Sequence, residues 1–290
     1  MKKLVLLLAI VFLLTAITGT LVGCNKATEA DSTAPDAKYA DGVYFAQEDD
    51  FNVDNGWKYM VTITVTDGKI TEAIWNGANQ AGGNDKITQS TDGSYGMVAY
   101  SDAQSEWHEQ AILAQDHLLA TQEPTDITYS DDEGHTDAIT GVSIHVREFF
   151  GLAEKALAAD PNGYGTYTDG TYTAEKASFS ETSGWKENVS VTVISGRIVA
   201  AGWNGVHKDG GDDKVTQSMD GRYGMVAYSD AQSEWHEQSV IAQNHLLMTQ
   251  DPTDITYSDD EGHTDALTGV SIHVSSFFEL VAEALAGATK

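Results

Sequence analysis

Apolar and polar residues alternate in part along Met60-Val61-Thr62-Ile63-Thr64-Val65, and most of these side chains are β-branched. That pattern predicts a half-buried strand over residues 59–66. Asp67-Gly68 is a hairpin turn signal, so residues 70–75 are expected to pair back on it. A shorter strand is expected before this hairpin, at residues 43–46, and a Gly- and Asn-rich loop after it, at residues 76–85. The period then changes. Trp107, Ala111, Ala114 and Leu118 recur at helical spacing and predict the buried stripe of a helix. Ser101 or Asp102 is its expected cap, and it should run to about Thr121, before Pro124. A short strand at residues 127–129 leads through Asp131-Asp132-Glu133-Gly134 to Thr140-Gly141-Val142-Ser143. A last helix should turn Val146, Phe149, Phe150, Ala153 and Leu157 inward. The predicted class is α+β, an antiparallel sheet with helices packed on it.

The whole pattern occurs twice, at a constant offset of 128 residues. Asp41-Gly42-Val43-Tyr44 matches Asp169-Gly170-Thr171-Tyr172, Gly56-Trp57-Lys58 matches Gly184-Trp185-Lys186, and Trp75-Asn76-Gly77 matches Trp203-Asn204-Gly205. Tyr95 to Gln110 is identical to Tyr223 to Gln238. All six Trp form pairs, and His207 is the one histidine of nine without a counterpart. A period this long signals duplication of a domain, whereas solenoid repeats run to about 20–50 residues. Each unit is long enough for its own core. The expected order is a signal peptide (1–23), a flexible tether (24–40), a first domain (41–158), a linker (159–168) and a second domain (169–286). Both domains are expected to be α+β.

The N-terminus changes the setting. Lys2 and Lys3 precede an apolar run over residues 4–14, and Leu21-Val22-Gly23-Cys24 follows after small residues. This resembles the bacterial lipobox, which implies lipidation of Cys24 and anchoring on the extracytoplasmic side of the cell membrane. A plain membrane-spanning anchor is the alternative. Cys24 is the only cysteine, so disulfides and thiolate-ligated metals are excluded from the domains. A net charge of −28 makes nucleic acid an unfavourable partner. With 41% apolar residues and six Trp, the chain is a folded protein and not an acidic disordered tail.

Three constellations carry candidate chemistry. His108 and His117 are nine residues apart on the predicted helix, half a turn out of phase, and cannot share one metal. A metal could draw on His135, Asp137 and His145 across a turn, although a hydrogen-bonded structural role is favoured for these histidines. Nucleotide loops are not supported: Gly163-Tyr164-Gly165 lacks a third glycine, and no Gly-Lys-Ser/Thr occurs. The third constellation is Asp137-Ala138-Ile139-Thr140-Gly141-Val142-Ser143, repeated as Asp265-Ala266-Leu267-Thr268-Gly269-Val270-Ser271. A glycine loop feeding a helix offers free N–H groups and a positive dipole end to a phosphate. Equally, Ser143 could serve only as a helix N-cap.

In these motifs and their order, the chain resembles the FMN-binding domain family. The likeness rests on the Asp-Gly-x-Tyr opening, Gly-Trp-Lys, the Val-Thr-Ile-Thr-Val strand, Asp-Gly-Lys-Ile and the Asp-x-x-Thr-Gly loop before a Phe-rich helix. It covers residues 41–157 and 169–285. The family includes the flavin-carrying C subunit of the sodium-pumping NADH:quinone reductase and surface lipoproteins of Gram-positive bacteria that act in extracellular electron transfer. In it a transferase joins FMN through its phosphate to the Thr of Ser/Thr-Gly-Ala-Thr, which places the attachment points at Ser143 and Ser271. Val142 and Val270 stand in place of Ala, Ser in place of the acceptor Thr, and His145 and His273 where a hydroxyl residue is common.

The resemblance implies one FMN per domain, joined to Ser143 and Ser271 or held without a covalent bond. Asp137, Thr140, Gly141, Ser143 and His145 would hold the first, with His135 nearby. Asp265, Thr268, Gly269, Ser271 and His273 would hold the second, with His263 nearby. Trp75 or Trp107 offers an aromatic surface on which the flavin could stack, against a core-packing role that is favoured for Trp107. The expected function is an electron carrier with a redox protein or a small acceptor as partner. The rival is a surface lipoprotein without flavin that uses the paired His and acids for a ligand or a metal, or serves in adhesion.

Overall fold

A tight two-residue turn fixes the register of the main hairpin. Asp67 (φ 52°) and Gly68 (φ 72°) are both left-handed, the type that matches strand twist. In the computed structural model, which describes residues 38–290, β1 (Gly42–Gln47), β2 (Trp57–Thr66) and β3 (Lys69–Asn79) form an antiparallel sheet in that order. The signal segment, Cys24 and most of the tether lie outside the described residues. Four helices follow: α1 (Lys86–Asp92), α2 (Met97–Tyr100), α3 (Trp107–Thr121) and α4 (Arg147–Leu157). The second repeat gives β4 (Gly170–Glu175), β5 (Trp185–Ile194) and β6 (Arg197–His207), again antiparallel and in order. Its helices are α5 (Lys214–Met219), α6 (Met225–Tyr228), α7 (Trp235–Thr249) and α8 (Ser275–Ala284). The fold class is therefore α+β, two three-stranded antiparallel sheets each packed with helices. Among the described residues no helix is long and apolar enough to cross a membrane.

Each core lies between one face of a sheet and two helices. Val61, Ile63, Val65 and Trp75 meet Trp107, Ala114 and Leu118 of α3 and Phe149 and Phe150 of α4. The second core repeats this with Val189, Val191, Val193, Trp203, Trp235, Leu246, Phe277 and Phe278. Trp75 and Trp107 are both buried, with ring centroids 5.1 Å apart. Neither offers a surface for a flavin to stack on.

Several local expectations shift. β3 runs on to Asn79, into residues expected to form a loop, and the last residue of that loop, Asp85, caps α1. Ser101 closes α2 rather than opening α3: its hydroxyl donates to Met97 O and accepts from Ala103 N. α3 starts at Trp107, where Glu106 and Glu109 form a reciprocal capping box. The Glu106 carboxylate also accepts from Met97 N and Val98 N. Residues 127–129 form no strand, although Ser130 N donates to His135 O and Thr136 Oγ1 to Thr128 O.

The two repeats lie in one compact unit and share a third apolar cluster. Met60 and Ala78, on the face of the first sheet away from its helices, pack on Ile194, Val199 and Ala200 near the turn of the second hairpin. Phe45 and Phe51 border the patch. The places matching Ile194, Val199 and Ala200 in the first repeat hold Thr66, Thr71 and Glu72, all exposed. The contact is thus head-to-tail, and the polar residues leave the first repeat without the same apolar patch. Gly82 approaches Ser190 O and Gly202 approaches Ala81 O so closely that a Cβ at either would stand about 2 Å from the carbonyl oxygen. Thr171 and Thr192 both donate to Gly83 O, and Thr62 shares a buried hydrogen bond with Ser195. The linker is also pinned. Asn162 bridges the main chain of Phe45 through both side-chain atoms at 2.9 Å, and Gly165 N donates to Ser195 O.

Candidate functional site

The Asp137–Ser143 loop sits on the surface above a buried glutamine. Gln110, on α3, turns its side-chain oxygen toward the loop and accepts from Ser143 N (2.7 Å), Ser143 Oγ (3.2 Å) and Ile144 N (3.2 Å). Gln238 does the same for Ser271 and Ile272. Thr140, Gly141 and Ser143 are exposed, and Gly141 (φ 88°) makes the left-handed turn between them. Ser143 is not a helix N-cap. α4 begins at Arg147, Val146 precedes it with no side-chain cap, and Val146 N donates to Gly134 O. The helix N-terminus lies beyond the glycine loop, so the dipole reading of this loop is not what the geometry offers.

Gln110 and Gln238 were not signalled by any motif; each lies inside the identical Tyr95–Gln110 and Tyr223–Gln238 stretches. Their role follows from burying an amide that must find partners. Gln110→Ala is expected to leave two loop N–H groups without their acceptor. It should lower stability by roughly 1–3 kcal/mol in urea unfolding and raise amide exchange at Ser143 and Ile144.

Beside this loop the histidines converge. The rings of His135 and His145 stand edge to face with centroids 4.2 Å apart, and Glu133 lies 3.8 Å from His145 Nε2. His135 Nδ1 donates to Asp131 Oδ2 at 2.5 Å, as the structural reading expected. Asp131 Oδ1 also accepts from the backbone N–H groups of Glu133, Gly134 and His135. Asp131 is held below the ordinary carboxyl range chiefly by the His135 backbone N–H, with its imidazole adding to the effect. Asp137 is exposed and outside this group; Glu133 takes the place the sequence assigned to it. In the second repeat His263, His273 and Glu261 converge in the same way, with rings 4.1 Å apart. His108 and His117, by contrast, bind separate partners, Ser90 Oγ and Asp126 O.

A third feature is buried. Lys86, almost fully enclosed, donates to Tyr59 Oη at 2.7 Å and lies 4.4–5.2 Å from the ring centres of Tyr95, Trp57, Tyr59 and Trp107. Burial pushes its amine down to about 7, against the opposing charges of Glu148 and Glu48. The ring faces also favour the ammonium. In the second repeat Glu187 replaces Tyr59 and pairs with Lys214 at 2.8 Å, while Ser276 replaces Glu148 and donates to Glu187. The second repeat therefore pairs its buried lysine with a strand acid, whereas Glu148 and Glu48 act on Lys86 through charge without an ion pair among the described residues.

Fold and sites together define a two-repeat α+β protein with an exposed serine loop and a His-His-Glu cluster in each repeat. Comparison with protein-family models finds no match, and comparison with curated proteins finds none. Two solved structures are similar over part of the chain. A solution NMR structure of a protein from Clostridium thermocellum is 53% identical over 41% of this chain and 89% of that chain, with a TM-score of 0.33. A crystal structure of the CPE2226 protein from Clostridium perfringens is 28% identical over 41% of this chain and 87% of that chain, also with a TM-score of 0.33.

Proposed function

We propose that this protein is a two-site flavin carrier, held by lipid on Cys24 at the extracytoplasmic face of the cell membrane, that relays electrons between a reductase and a protein or small-molecule acceptor. One FMN would be joined through its phosphate to Ser143 and one to Ser271. The observation that supports this most is the setting of the two serines. Each serine is exposed, with its hydroxyl donating to a buried glutamine that also fixes the loop at the adjacent N–H groups. A modifying enzyme needs both accessibility and a defined geometry, and such a loop supplies them.

Ser143 and Ser271 each carry a hydroxyl that can form a phosphoester on the surface loop. On attachment the serine hydroxyl gives up its proton and its Oγ attacks the flavin-side phosphorus of a flavin dinucleotide co-substrate, so that the Oγ–P bond forms as the P–O–P bond breaks and a nucleoside monophosphate leaves. The flavin supplies the electron chemistry when bound. Thr140 and Gly141 flank the attachment point and hold its turn, with Thr268 and Gly269 in the matching places. Asp137, Asp265 and the nearby histidines would lie at the edge of the site. The acidity of the chain disfavours polyanionic partners such as nucleic acid.

Co-expression of the mature chain with a flavin transferase should give a yellow protein whose intact mass carries two FMN increments. Ser143→Ala or Ser271→Ala should remove one increment each, and the double variant both. A colourless product of unmodified mass, with no FMN affinity in titration, would exclude the reading.

A further inference from the structure

We infer that each repeat binds one divalent transition-metal ion, the first through Glu133, His135 and His145 and the second through Glu261, His263 and His273. In both clusters one ligand-capable atom from each of the three residues lies within 4.8 Å of the others. Ligands about 2.0–2.2 Å from a tetrahedral zinc stand about 3.4 Å apart, so movements of about an ångström in exposed side chains close the set. Two of the three residues are exposed and the third is half-buried, which leaves an entry path from solvent.

The donor chemistry selects the class of ion. Two imidazole nitrogens with one carboxylate oxygen suit zinc, cobalt or nickel, whereas calcium and magnesium take oxygen ligands. Three protein ligands also leave a coordination position for water or an anion.

The histidines are held by features a ligand set uses. Asp131 Oδ2 accepts from His135 Nδ1 at 2.5 Å and Asp259 Oδ2 from His263 Nδ1 at the same distance. In each case the bond fixes the ring at Nδ1 and leaves Nε2 without a hydrogen-bond partner, the usual carboxylate–histidine arrangement behind a metal. The exposed Glu133 carboxylate lies 3.9 Å from His135 Nδ1, so binding requires it to swing toward Nε2. The two loops that supply His135 and His145 are tied by Val146 N donating to Gly134 O at 2.9 Å. Gly134 permits this approach, because a Cβ there would meet Arg147 Cβ at 2.6 Å. Val274 N and Gly262 O make the matching tie at 2.8 Å. The surrounding loop is strongly acidic: Asp131, Asp132, Glu133 and Asp137 stand within seven positions, which favours any cation. The histidines are what make the site selective.

The test uses the mature chain made without flavin transferase and stripped with a chelator, so its outcome is independent of the flavin. Calorimetric titration with zinc chloride should give two equivalents per chain. Cobalt chloride should give visible d–d bands at the same stoichiometry. His145→Ala should remove one equivalent and the His145→Ala/His273→Ala double variant both, with circular dichroism unchanged because both residues are exposed. Asp131→Asn should weaken one site about 10- to 100-fold without changing the cobalt bands. Asp132→Asn/Asp260→Asn, which lowers the loop charge without touching the cluster, should leave the stoichiometry intact. Absence of zinc binding, binding that survives the double histidine variant, or equal binding of calcium chloride would overturn the inference.

Discussion

Ala200→Glu is expected to part the two repeats without unfolding either. Ala200 is fully buried between the sheets, and the matching position in the first repeat carries Glu72 on an open surface. An unpaired carboxylate at that place costs about 3–5 kcal/mol if the contact is kept. The chain has a cheaper response, because each repeat has its own core and the two can separate to hydrate the new charge. The cost is therefore capped by the strength of the contact itself. Adding Gly202→Ile, the residue of the first repeat at position 74, drives a side chain into Ala81 O and reinforces the effect. The double variant should show native circular dichroism and an increased radius of gyration in solution scattering. Its urea unfolding should split from one transition into two. A single transition at wild-type midpoint would show that the contact contributes little.

Lys86→Met should abolish a rise in stability that the parent protein shows between pH 7 and about pH 10. In the unfolded chain the Lys86 amine keeps its proton up to about 10.5, while in the folded protein burial brings it down to about 7. Between those values the unfolded state binds more protons. Stability therefore climbs as pH rises, by up to about 1.4 kcal/mol per pH unit for one such group. The penalty is fully present below pH 7 and is relieved as pH increases. The aromatic faces around the amine reduce the slope by favouring its charged form. Methionine fills the same channel without a charge. Urea midpoints measured across this range should differ in slope between parent and variant; equal slopes would mean that Lys86 stays protonated. Tyr59→Glu, which copies Glu187, should also flatten the rise by keeping the ammonium paired.

Both results concern differences between the repeats, and the two kinds of information in the sequence separate there. The shared pattern carried most of the fold. Alternation through residues 60–65, the Asp67-Gly68 turn, and the apolar stripes of α3 and α4 are local signals of period and turn chemistry, and each stands where the pattern put it. Local signals failed where a tertiary partner decided the matter. Ser101 looked like a helix start, but Glu106 reaches both α2 and α3 and sets the boundary. Ser143 looked like an N-cap, but Gln110, thirty-three positions earlier, takes its N–H.

The candidate sites divide in the same way. Thr140, Gly141 and Ser143 could be found because a glycine loop with hydroxyls is a contiguous motif. Glu133 could not be distinguished from Asp131, Asp132 or Asp137 in an acidic run; only the tie between Gly134 and Val146 brings His145 to it. The change from Thr66, Thr71 and Glu72 to Ile194, Val199 and Ala200 was open to inspection in the sequence as a contact between repeats, yet its partner surface was not.

By itself the sequence determined that this chain is a duplicated α+β unit with the same Thr-Gly-Val-Ser loop and matching histidines in both copies, because period, turn chemistry and repetition are written in neighbouring residues. The tertiary structure alone decided that the copies meet head-to-tail, that Gln110 and Gln238 fix the serine loops, and which carboxylate joins each histidine pair. Those outcomes depend on groups distant in the chain finding hydrogen-bond partners or burying apolar surface, and no local pattern encodes which ones meet.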